Sequence, residues 1–140
     1  DNNDRPEVVM RDGLAPTRAA PNGSAQITIL AEGEKAFMGK LRVAPGASIP
    51  EHEDESEEYL YVLEGNGTLT INGTDYEVKP QTGIFMPAGA KVSYKNGDRV
   101  MTAIQTFAGP EAANKYSKWE TGQEPLTNTP ARGGKKAGGR

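Results

Sequence analysis

The chain has no cysteine and a single histidine, His52. The missing cysteine excludes a disulfide frame, a thiolate metal site and a thiol nucleophile. The missing second histidine excludes the two-histidine, one-carboxylate pattern of non-haem iron. No apolar run approaches the ~18 residues that span a bilayer. No serine sits in a G-x-S-x-G setting, and neither a P-loop nor a dinucleotide fingerprint is present. Gly65-Asn66-Gly67 lacks the following helix that a phosphate cradle needs. Net charge is −3, and the four basic residues of the C-terminal nine (Arg132, Lys135, Lys136, Arg140) have no interleaved aromatics. Nucleic acid is therefore not an expected partner.

What is present suits one domain. A length of 140 residues can close a single core, but the hydrophobic content of 35% is low and both ends dilute it. Residues 1–22 hold three prolines and seven charges, and residues 120–140 are rich in Gly, Pro, Thr and Lys. The expected division is an extended, flexible arm over residues 1–24, a compact domain over 25–119 and a flexible basic tail over 120–140. The chain starts at Asp1 rather than Met. A removed leader, which would place a mature form outside the cell or in the periplasm, explains that start, and so does artificial trimming.

Short alternating runs bounded by turn residues fill residues 26–107. Residues 26–30 set Ile27 and Ile29 against Gln26, Thr28 and Leu30, and residues 36–43 set Phe37, Leu41 and Val43 against Met38, Lys40 and Arg42. In residues 57–63, Glu58, Leu60 and Val62 oppose Tyr59, Tyr61 and Leu63, which predicts a strand covered on both faces. Residues 68–71 and 74–78 flank Asn72-Gly73, a type I′ hairpin signal. Further strands are expected over 83–86, 91–94 and 98–107. One helix is expected over 111–119, with Pro110 near its first turn and Tyr116 and Trp119 three apart. Eight or nine strands with one late helix predict an all-β, closed or double-sheet domain.

Residues 51–58 read EHEDESEE, six carboxylates around His52. His52 and Asp54 are two apart and share a face of an extended strand, and Glu58 can share it with Leu60 and Val62. One imidazole and two carboxylates are able to bind Zn, Mn or Fe with water completing the sphere. An oxygen-only calcium site finds no support, since the spacing and mid-loop glycine of an EF-hand are missing. A metal-free histidine–carboxylate pair moving protons near neutral pH is the other chemistry open to these residues. Tyr94 is in phase with Val92, and Met38, Met86 and Met101 are thioethers of the kind that suit Cu(I).

The spacing Gly46-x5-His52-x-Asp54-x3-Glu58-x6-Gly65 resembles the first motif of the cupin superfamily, with Asp54 in place of its second histidine. The second motif aligns at Pro87, Gly89 and Asn96, with Gln81 at its first glycine and Val92 at its histidine. Residues 103–119 resemble the end of small single-domain bacterial cupins. The resemblance implies a jelly-roll β-barrel, usually a homodimer, with a ligand pocket inside. It implies a metal site at His52, Asp54 and Glu58 that has lost its fourth ligand, and pocket positions at Leu60, Met86, Val92 and Tyr94. The expected cofactor is one divalent metal (Zn, Mn, Fe or Cu) or none. Three functions follow: a small-molecule binder with a degraded metal site, a metal-dependent enzyme using those three residues, or a dimeric assembly module presenting Tyr59 and Tyr61.

Overall fold

The computed structural model describes residues 8–109, 114–121 and 125–128. Among them, eleven strands form two antiparallel sheets: β1 (Thr17–Ala19), β2 (Ala25–Glu32), β3 (Phe37–Val43), β4 (Ser48–Glu53), β5 (Glu57–Glu64), β6 (Gly67–Ile71), β7 (Thr74–Val78), β8 (Gly83–Met86), β9 (Lys91–Asn96), β10 (Met101–Ala108) and β11 (Glu120–Thr121). The seven-stranded sheet runs β11-β1-β2-β3-β10-β5-β8 and the four-stranded sheet β4-β9-β6-β7. This is the all-β, double-sheet fold that the alternation predicts. Asn72 and Gly73 turn β6 into β7 with φ of 49° and 84°, both in the left-handed region that a type I′ turn requires.

The core lies between the sheets. Ile27, Phe37, Val43, Val62, Ala103 and Phe107 are buried from the larger sheet, and Leu69, Val78, Val92 and Tyr94 from the smaller. The chain passes between the sheets six times, and Asn96 fastens two of these crossings, the one after β3 and the one between β9 and β10. Its buried Nδ2 lies 3.1 Å from the Val43 carbonyl, 2.9 Å from that of Ala44 and 2.8 Å from that of Arg99. Its Oδ1 accepts the Tyr94 hydroxyl at 2.9 Å. That hydroxyl fits because Gly67 faces it: a Cβ there would stand 2.1 Å from the Tyr94 oxygen. Gln81, at the position of the second motif's first glycine, has φ 65° and so adopts the backbone that glycine would take without strain.

Two features differ from the expected structure. The helix expected over 111–119 falls partly on residues 110–113, outside the described residues. In the described remainder Asn114 is helical, and beyond it Ser117 N bonds Asn114 O and Trp119 N bonds Tyr116 O, so turns of i to i+3 type rather than a regular helix occupy 115–119. Aromatic docking sets the path there. Tyr116 is buried with its ring centroid 5.8 Å from Phe37 and 6.5 Å from Phe107, and Trp119 meets it edge-on at 4.8 Å.

Strand β5 is covered on one face only, leaving Tyr59, Tyr61 and Leu63 on the outer side 43, 47 and 44% exposed beside Phe85 at 50%. Segments assigned to the arm and the tail also contribute strands, β1 and β11, which pair with each other. Residues 1–7, 122–124 and 129–140 lie outside the described part.

Replacing Asn96 by Ala leaves three carbonyls, one buried and two part-buried, and the Tyr94 hydroxyl to find other partners. The loss expected in urea unfolding is about 3 kcal/mol. A loss below about 1 kcal/mol would show that the two crossings do not depend on this amide.

Candidate functional site

The sheets enclose a cavity of about 500 Å³, inside the roughly 300–1,000 Å³ range of small-molecule sites. Its walls are mostly hydrocarbon. Leu41, Val43, Leu60 and Val62 face it from the larger sheet, and Leu69, Val78, Val92 and Tyr94 from the smaller. Leu60, Met86, Val92 and Tyr94, the expected pocket residues, all line it, as does Met101, whereas Met38 is exposed on the outer surface. The Tyr94 hydroxyl is committed to Asn96, and burial pushes its pKa up to about 12, so it contributes packing rather than a titrating group.

One end of the cavity is polar. The run at 51–58 alternates: Glu51, Glu53, Glu55 and Glu57 are exposed, while Glu58 is buried and His52 and Asp54 are half-buried. Strand β4 carries His52 opposite Val92 of β9, and β5 carries Glu58 between Met86 and Phe107. His52 Nδ1 donates to the Pro50 carbonyl at 2.9 Å. Its Nε2 is 3.4 Å from Asp54 Oδ2, a buried oxygen with no hydrogen-bond partner among the described residues. With Nδ1 already protonated, a neutral ring would turn a lone pair toward that carboxylate, so the geometry favours the imidazolium. The Asp54 carboxylate holds the imidazole above its ordinary 6.5, against burial and Lys115. Burial pushes Asp54 upward, but His52 and Lys115 together outweigh it and leave the carboxyl below 3.8.

Glu58 belongs to a separate chain of bonds. Gln105 Nε2 donates to Glu58 Oε2 at 2.5 Å, and the Tyr116 hydroxyl donates to Gln105 Oε1 at 2.9 Å, all three residues being buried. Burial raises Glu58 above its usual 4.5 although Gln105 and Lys115 oppose it, and burial raises Tyr116 well above 10. Lys115 Nζ donates to Asp54 Oδ1 at 3.1 Å.

As placed, these donors do not fit a metal ion. Among the described residues no three His, Asp or Glu side chains are grouped so as to hold one. Glu58 is tied to Gln105, Asp54 to Lys115, and the strand position facing His52 presents the hydrocarbon of Val92.

The spacing of the acidic run does not reveal Gln105, Lys115, Tyr116 or Trp119, all of which line the cavity. Gln105 left a signal: in β10 it falls in phase with Met101, Ala103 and Phe107, a polar residue at an inward position. Lys115 left none, because only the aromatic docking of the segment after β10 brings it to the cavity.

As the only histidine, His52 has a single resolvable imidazole resonance, and its midpoint is expected above 6.5 by NMR. Asp54→Asn should lower that midpoint. The pairing contributes stability that is full below pH 6.5 and is lost as pH rises through the raised folded value. An unchanged midpoint in Asp54→Asn would show that the carboxylate does not hold the imidazole's proton.

Comparison with known proteins agrees with this geometry. A model of the cupin domain matches residues 39–104. The tetracenomycin polyketide synthase protein TcmJ of Streptomyces glaucescens is 29% identical over 104 residues, 74% of this chain and 68% of that protein. An RmlC-like cupin from Shewanella frigidimarina superposes with a TM-score of 0.67 at 16% identity, over 74% of this chain and 92% of the other. The polyketide cyclase RemF of Streptomyces resistomycificus superposes with a TM-score of 0.65 at 20% identity, over 85% and 87% of the two chains. With the barrel, both motifs and these likenesses in hand, the chain has the cupin fold, and its residues 39–104 match the cupin domain.

Proposed function

We propose that this cupin binds a polyketide-type small molecule inside the barrel, its apolar body against the aliphatic walls and its oxygen-bearing end at His52, Glu58, Gln105 and Lys115. The cavity carries the reading: it is large enough for fused rings, and its ionisable lining residues His52, Glu58 and Lys115 are close enough to interact with one another. The name of TcmJ supports the chemical class. His52 and the buried Glu58 supply the proton donors and acceptors that ring closure or dehydration of a polycarbonyl chain would draw on. No metal is needed for binding in this reading.

The test is calorimetric titration with 2,7-dihydroxynaphthalene, a fused aromatic diol, alongside the fluorescence of Trp119, the chain's single tryptophan and a residue of the cavity wall. Saturable one-to-one binding that quenches Trp119 is expected, weakened about tenfold in Leu60→Phe, which narrows the cavity. Absence of saturable binding, or indifference to Leu60→Phe, would remove the barrel interior as the site.

A second element of the reading is that two copies pair through the outer face of the larger sheet. Tyr59, Tyr61, Leu63 and Phe85 form an exposed apolar strip there, with the Tyr59 and Phe85 rings 5.2 Å apart. Sedimentation should give a dimer, and Tyr61→Glu a monomer. A dimer undisturbed by Tyr61→Glu and Phe85→Glu would place any interface elsewhere.

A further inference from the structure

The polar end of the cavity contains a fixed organic cation. Lys115 lines the cavity, its Nζ lying 5.3 Å from the centroid of the Phe107 ring and 5.8 Å from that of Tyr116. About two thirds of its side chain is withdrawn from water, since 34% is exposed. An ammonium has three N–H donors. Among the described residues one of them is engaged, by Asp54 Oδ1 at 3.1 Å. The aromatic faces stabilise the charge without using the other donors, because a ring quadrupole attracts a cation but accepts no second strong hydrogen bond. Asp54 anchors the ammonium from outside the lining of the cavity.

Resting on the reading of the cavity as a small-molecule site, we infer that Lys115 determines its specificity and that the ligand class is a hydrophobic molecule bearing one anionic oxygen group, a carboxylate or an acidic phenolate or enolate, paired with the Lys115 ammonium. The ammonium supplies the positive charge toward which that oxygen is oriented. Gln105 and Tyr116, bonded in series to Glu58, supply the neighbouring buried carboxyl with a donor. A lysine rather than an arginine suits a site that offers a single compact charge on a flexible stem.

The experiment is calorimetric titration of the full chain with sodium 2-naphthoate and with 2-naphthamide, probes of the same shape that differ in charge. Naphthoate is expected to bind about tenfold or more tightly than the amide. Lys115→Met should remove that preference by weakening naphthoate about tenfold while leaving naphthamide within about twofold, and Lys115→Arg should keep the preference. A chelator should change nothing.

Equal affinities in the wild-type chain would overturn the inference. So would equal weakening of both probes by Lys115→Met, the signature of lost packing on Phe107 and Tyr116, or naphthoate binding that requires added Zn²⁺ or Mn²⁺. Binding of naphthamide without a preference for naphthoate overturns only the role of Lys115. Failure of both probes to bind overturns the small-molecule reading of the cavity as well.

Discussion

The buried amide of Asn96 is the constraint on which the barrel rests. Two sheets can pack face to face without enclosing anything; a cavity requires that the chain cross between them at fixed places. Asn96 binds the backbone where β3 gives way to β4 and where β9 turns toward β10, and it accepts the Tyr94 hydroxyl from within its own strand. A hydrophobic residue at that place could fill the space but could not satisfy the carbonyls of both crossings. His52 and the four-stranded sheet therefore stand at a set distance from Glu58, Gln105 and the seven-stranded sheet. The cavity is the interval between them.

Most of the strands were legible because a half-buried strand announces itself by alternation and a tight turn by its residues. Asn72-Gly73 specifies a left-handed turn on local grounds alone. Strand β4 is different. Its sequence, SIPEHE, contains one aliphatic residue and a proline, and it is a strand because β9 pairs with it, with a register shift between Ile49 and His52 that accommodates Pro50. The path of residues 114–119 was not legible from helical spacing either. Local propensity is weak over so short a segment, and burial of Tyr116 against Phe37 and Phe107 overrides it.

The site divides along the same line. Alternation separates His52, Asp54 and Glu58 from the solvent-facing acids between them, since a period of two is a local property. The partners that each inward residue takes come from distant parts of the chain and carry no local signature. Gln105 reaches Glu58 across 47 positions and Lys115 reaches Asp54 across 61. Those partners change the chemistry. Spacing alone groups the three residues as one ligand set; in the fold Asp54 is engaged by a lysine and Glu58 by an amide and a phenol.

The pairing of β1 with β11 gives two segments distant in sequence a joint hold on the candidate site. Arg18 of β1 donates to the carbonyls of Ser117 and Trp119, at 3.3 and 3.4 Å, in the segment that brings Lys115, Tyr116 and Trp119 to the cavity. Farther on, Leu126 N is bonded to Gln26 and Val100 N to Asn128. Alterations within the β1 and β11 pairing, such as replacement of Arg18, thus act mechanically on the wall of the pocket. Ligand affinity should depend on this pairing even where no cavity-lining residue has been touched.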